Sequence, residues 1–133
     1  MKTRLLLSAL VISTFFACKK KIDDPYERIT GKWIVDNQQL LGQTFQGDGS
    51  YLTFDACASK TGCTGIDYKE SDKSTGSFSF VIADDESTIT ITDTMSAGGS
   101  YDGEWDVTLF NNKNLHLKIS TFLGDSKIEF TKD

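Results

Sequence analysis

Residues 104–119 read EWDVTLFNNKNLHLKI, and this stretch decides the fold class. Trp105, Val107 and Leu109 alternate with Glu104, Asp106 and Thr108. Asn111-Asn112-Lys113-Asn114 is a tight polar connection. After it, Leu115, Leu117 and Ile119 alternate with His116, Lys118 and Ser120. Successive side chains of a strand point to opposite faces, so a period of two marks a half-buried strand. Two such runs joined by a short turn make an antiparallel hairpin.

The pattern continues outward from this hairpin in both directions. On the C-terminal side, Phe122-Leu123-Gly124-Asp125 turns the chain, and Ile128 and Phe130 alternate with Lys127, Glu129 and Thr131. On the N-terminal side the inward runs are Ile89 with Ile91, then Phe78, Phe80 and Ile82, then Ile66 with Tyr68, Leu52 with Phe54, and Trp33 with Val35. Between them lie the turns Gly47-Asp48-Gly49 and Ala83-Asp84-Asp85-Glu86, and a longer Gly-rich loop from Asp93 to Ser100. Ahead of the first strand, Asp24-Pro25-Tyr26-Glu27 reads as a helix start, with Asp24 as cap and Pro25 at the first helical position, and Gly31 ends it. The prediction is an all-β domain: an eight-stranded antiparallel up-and-down barrel with a short N-terminal helix. Closure into a barrel satisfies both sheet edges at once. A two-sheet sandwich is the alternative. A barrel that crosses the outer membrane is disfavoured, because one face of every strand is Thr, Ser, Lys, Asp or Glu.

The first 24 residues follow another logic. Lys2 and Arg4 precede an apolar run from Leu5 to Ala17, then come Cys18 and three lysines. That is the shape of a secretory signal, too short to span a bilayer, which takes roughly 20 apolar residues. Ala17-Cys18 resembles the lipobox of bacterial lipoproteins, in which the Cys is lipidated and becomes the new N-terminus. Phe15 and Phe16 occupy the positions where that motif has Leu and a small residue. The resemblance implies a signal peptide over residues 1–17, lipidation at Cys18, a tether over 18–24 and a barrel domain over 25–133. It also implies the envelope as location. Lys19 after the Cys favours the outer membrane, at its periplasmic face or the cell surface, and Lys19-Lys20-Lys21 suits anionic headgroups.

The 133 residues carry a formal charge of −5. The leader holds Lys2 and Arg4 and no acid, so the remainder is more acidic still. No electrostatic footprint for nucleic acid is present, and a single domain is expected at this length. Outside the cytoplasm, Cys57 and Cys63 are expected to form a disulfide across Ala58-Ser59-Lys60-Thr61-Gly62. A metal site would need further ligands, and no other His or Cys lies nearby.

At Gly31-Lys32-Trp33, after a short helix, the chain resembles the lipocalins and the small lipocalin-like lipoproteins of Gram-negative envelopes. A lipobox, a Gly-Lys-Trp opening, a Cys pair in an early hairpin and a closing strand such as Ile128-Glu129-Phe130-Thr131-Lys132 are shared with these. The resemblance implies that Gly31 and Trp33 form the barrel base. It also implies an Arg near the end over the Trp, but the last Arg is Arg28, and Lys118, Lys127 or Lys132 is left to substitute.

Catalytic sets are not evident. His116 is the only histidine and alternation points it outward. Asp102, Glu104 and Asp106 share one strand face but are spaced about 6–7 Å apart, too far for one ion. The expectation is a protein that is not an enzyme and uses no metal or cofactor. The leading function is binding of a small hydrophobic or amphipathic molecule in or at the mouth of the barrel, lined by Phe54, Tyr68, Phe78, Phe80, Trp105, Leu117 and Phe130. The alternative is a filled barrel that acts as an interaction or envelope-structural module through the loops Ser96–Ser100 and Ala58–Gly62. A monomer held to the membrane by its N-terminal lipid is expected.

Overall fold

A computed structural model describes residues 23–93 and 101–133. The leader 1–17, Cys18, the tether up to residue 22 and loop positions 94–100 lie outside the described residues. Helix α1 is a single turn, Pro25–Ile29. The Tyr26 amide donates to the Asp24 carboxylate at 2.8 Å, which caps the helix. The Thr30 hydroxyl donates to the Tyr26 carbonyl at 2.6 Å where the turn ends.

The strands follow as β1 (Gly31–Leu40), β2 (Gln43–Gln46), β3 (Tyr51–Phe54), β4 (Cys63–Lys69), β5 (Ser74–Ile82), β6 (Thr88–Asp93), β7 (Gly103–Phe110), β8 (Asn114–Thr121) and β9 (Gly124–Lys132). All pairings are antiparallel, β3 to β9 pair in sequence, and β1 pairs with both β3 and β9. The result is a closed eight-stranded up-and-down barrel with one short N-terminal helix. Closure rests on the β1–β9 ladder, which runs from Trp33↔Lys132 to Leu40↔Ser126.

β2 is an addition to the eight predicted strands. Gly47-Asp48-Gly49 does not reverse the chain. The reversal comes earlier, at Leu41-Gly42, both with positive φ (50° and 83°), as a two-residue hairpin turn requires. The chain then runs back along β1, first as β2 and then as β3. Gly47 to Ser50 is an excess of residues within that return. The Gly47 amide donates to the Asp36 carbonyl at 2.6 Å, and the Val35 amide to the Ser50 carbonyl at 3.0 Å, so the ladder bridges the bulge.

Two strand phases also differ from the prediction. In β4 the inward residues are Cys63, Gly65 and Asp67, while Ile66 is exposed and Tyr68 lies on the outer face. There Tyr68 stacks on Tyr51 at 4.7 Å between centroids. In β7 a register shift between Val107 and Leu109 turns Leu109 outward and Phe110 inward. The other strands keep the phases read from sequence, with Trp33, Leu52, Phe54, Phe78, Phe80, Ile89, Ile91, Leu115, Leu117, Ile128 and Phe130 all buried inside.

Candidate functional site

The two ends of the barrel are built differently. At the closed end, α1 lies across the opening. The Trp33 indole donates to the Ile29 carbonyl at 2.5 Å, and the Tyr26 hydroxyl both donates to the Ile82 carbonyl (3.2 Å) and accepts from its amide (3.1 Å). Trp33 is fully buried there beside α1, and Gly31 opens the same strand two residues before it. The Lys132 ammonium sits over the Trp33 ring at 5.3 Å and donates to the Arg28 carbonyl at 2.9 Å. Of the three candidate lysines, Lys132 takes this place. Loss of hydration pulls its pKa below the usual lysine value. Arg28, itself buried, stands over the Phe110 ring at 4.6 Å and pairs with Glu86 at 2.6 Å. The Cys57–Cys63 disulfide closes the loop beside this end, with Cα atoms 5.3 Å apart.

Among the described residues, large rings and aliphatic side chains pack the interior between the ends. Phe54 meets Phe80 edge-on at 4.9 Å and Phe78 at 5.2 Å. Six of the seven residues expected to line a ligand space, Phe54, Phe78, Phe80, Trp105, Leu117 and Phe130, are core residues no more than 4 % exposed. None of them borders the mouth cavity described next. The seventh, Tyr68, is on the outer face and lines no interior at all, because β4 runs in the opposite phase.

The open end carries a cavity. It has a volume of about 320 Å³ and lies at the mouth, between the β1–β2 hairpin, the Gly47–Ser50 bulge, the end of β4 and Tyr101. Val35, Phe45 and Tyr101 give it apolar walls; Gln38, Gln46, Asp48, Ser50, Lys69 and Ser71 give it polar ones. Gln38 and Phe45 are register partners and share one face of the hairpin. Ser50 organises the bulge. Its amide donates to the Asp48 carboxylate at 2.9 Å and its hydroxyl accepts from the Glu70 amide at 3.1 Å. The Ser50 hydroxyl and amide hold the Asp48 carboxyl below the usual carboxylate range. Burial pushes the Tyr101 hydroxyl up to about 12, and the charges of Asp48 and Asp67 add to that.

The open end also presents apolar side chains to solvent. Leu40 and Leu41 at the β1–β2 tip and Phe122 and Leu123 at the β8–β9 tip are exposed, Phe122 by 96 %. The β1–β9 ladder runs up to Leu40↔Ser126 and so brings these two tips together. The mouth is expected from the sequence as a binding place, but its lining residues are not, because the β1–β2 wall depends on the reversal at Leu41-Gly42.

The groups considered for chemistry stay apart. His116 is on the outer face, where its carbonyl accepts from the Thr108 hydroxyl at 3.2 Å. Asp102, Glu104 and Asp106 are exposed. Among the described residues, no three His, Cys, Asp or Glu side chains group closely enough to hold a metal ion. No family model matches the chain, no curated protein matches its sequence, and no solved structure matches its fold.

Proposed function

We propose that this domain is a non-catalytic binding module that takes a small amphipathic molecule at the mouth of the barrel and not in its interior. The mouth cavity carries the reading. Its volume of about 320 Å³ falls at the lower end of the range of small-ligand sites, and its lining joins three apolar side chains, Val35, Phe45 and Tyr101, to a larger polar set, which suits an amphipathic ligand over a purely apolar one. The ring-filled interior argues against an internal carrier. Native mass spectrometry of protein purified from its own envelope tests the proposal. A bound small molecule in the wild type, lost in a Gln38→Trp variant that fills the mouth, is the expected result. No small molecule in any preparation sinks it.

The module is held at the outer membrane by a lipid on Cys18. The stretch from Leu5 to Lys21 supports this, and so does the position of α1, whose start at Asp24 puts the chain's exit at the closed end, away from the mouth. Labelled palmitate is expected in the wild type and absent from Cys18→Ala; equal labelling of both removes the anchor. A second reading, docking of a protein partner on the mouth-end loops, is favoured by one observation, the exposure of Leu41, Phe122 and Leu123 side by side.

A further inference from the structure

Asp67 sits on the inner face of β4, between Leu52 of β3 and Gly76 of β5 in the ladder. It is only 8 % exposed, and its Oδ1 has no hydrogen-bond partner among the described residues. No ion pair reaches it either among those residues. Buried polar atoms are nearly always partnered, and an isolated buried carboxylate is among the most costly groups a fold can retain. The position is nevertheless built for it. Gly76 supplies no side chain, and a Cβ there would fall far inside van der Waals distance of the Asp67 carboxylate. The glycine leaves the room that the carboxylate uses.

Asp67 lies just below the mouth cavity and is not itself one of its lining residues. Lys69 and Ser50, which line the cavity, lie one rung above it on the same inner face. Tyr101, which lines the same cavity, has its hydroxyl close enough to feel the Asp67 charge. Lys69, the ammonium among the described lining residues, makes no ion pair with Asp67; its charge acts on Asp72 in the next turn. Among the residues that line the cavity, the acceptors are the Asp48 carboxylate and the Tyr101 hydroxyl, and the unpartnered Asp67 carboxylate lies one rung below Lys69 and Ser50. The chain as a whole is acidic. Without a third carboxylate to close the shell, these groups do not make a metal site. An ammonium group presents three donors and a single positive charge, and that matches what Asp67 and Tyr101 lack.

We infer that the ligand of the mouth is a small amphipathic primary amine, whose ammonium is held by Asp67 beside the Tyr101 hydroxyl and whose apolar part lies on Val35 and Phe45. This rests on the mouth-binding reading and specifies its ligand class. Hexylamine, hexan-1-ol and hexanoate share one tail and differ in the head group. Titrated into the full-length, isotope-labelled protein, hexylamine is expected to bind on the order of tenfold or more tighter than the other two, the worth of one charge-assisted hydrogen bond. It is expected to shift the amide signals of Ser50, Lys69 and Tyr101. Asp67→Asn brings hexylamine down to the level of the alcohol while its thermal midpoint stays at or above wild type, since an unpaired charge has been removed. Gly76→Ala, which crowds the carboxylate and leaves its charge, weakens hexylamine in the same direction. Equal binding of the three probes at the mouth, or an amine preference that survives Asp67→Asn, overturns the amine assignment and leaves the mouth as a binding site. Absence of mouth shifts with all three overturns both.

Discussion

The phase of β4 decides which side chains face the core, and a pair of substitutions reads it directly. Gly65 faces inward with the Phe78 ring packed over it, and a Cβ at position 65 would fall far inside van der Waals distance of that ring and of the Thr53 carbonyl. The carbonyl belongs to the β3–β4 ladder and cannot swing away, so the ring and the strand must both shift. Overpacking of this kind costs about 1–3 kcal/mol. Ile66, its neighbour, is 44 % exposed on the outer face. Ile66→Thr keeps the β-branch and changes a solvated surface, so its effect should stay within about 0.5 kcal/mol. In the opposite phase, the one that alternation of apolar residues suggests, the order reverses: Gly65→Ala would be neutral, and Ile66→Thr would lose apolar burial and bury a hydroxyl. Equilibrium urea unfolding, followed by the fluorescence of Trp33 and Trp105, measures both variants; the midpoint shift at constant m gives the difference. If Ile66→Thr costs more than Gly65→Ala, the β4 phase and the inward placement of Asp67 are wrong together.

Two further outcomes follow from the ends of the barrel. Tyr101 has a hydroxyl pushed up to about 12 from an ordinary 10.0. A raised folded-state value means that its share of stability is whole below pH 10 and is lost as pH rises through 12. About two units correspond to about 3 kcal/mol, so urea midpoints taken across that window should fall in the wild type by more than in Tyr101→Phe; parallel curves would refute the burial of this hydroxyl. At the other end, Arg28→Met removes the partner of Glu86 and the cation over Phe110 while keeping an apolar stem of similar length. Glu86 is about a third exposed, so the loss should be about 2 kcal/mol, below the cost of breaking a fully buried pair; a variant as stable as wild type would show that the clamp is dispensable.

The fold was legible wherever each strand obeys its own alternation. Phe78, Phe80 and Ile82, Leu115 and Leu117, and Ile128 and Phe130 point inward as their spacing says. The helix start at Asp24-Pro25 was equally legible, because a capping side chain is a local signal. Alternation failed where another residue supplies the volume. In β4 the inward positions hold Gly65 and Asp67, since the Phe78 ring occupies the space over the glycine, and apolar Ile66 is left outside. In β7 the register shift after Val107 exchanges Leu109 for Phe110, so that Phe110 can lie under Arg28. Between β2 and β3 the excess residues Gly47–Ser50 look like a turn because Gly-Asp-Gly suits either use. A pattern of polarity records which residues differ in kind from their neighbours, but a bulge changes which way they point without changing the letters.

Binding at the mouth is expected from the sequence, but the residues that line it are not, and the two ends of the barrel differ in how their polar groups are matched. At the closed end the buried polar groups are matched: Arg28 with Glu86, the Trp33 indole with Ile29, the Tyr26 hydroxyl with Ile82, Lys132 with the Arg28 carbonyl. A chain able to satisfy that many groups in one layer is under no packing constraint to strand a carboxylate in another. Yet the layer of Asp67 keeps one, with Gly76 making room for it and four large apolar side chains exposed at the tips above. Stability alone would remove both, by Asn at position 67 and by polar residues at 41, 122 and 123, at no cost to the barrel. Such local conflicts, in a sequence otherwise consistent from capping to core, concentrate where a protein binds. The amine proposal turns on this stranded carboxylate, which the sequence hides because β4 carries Gly65 and Asp67 on its inward face.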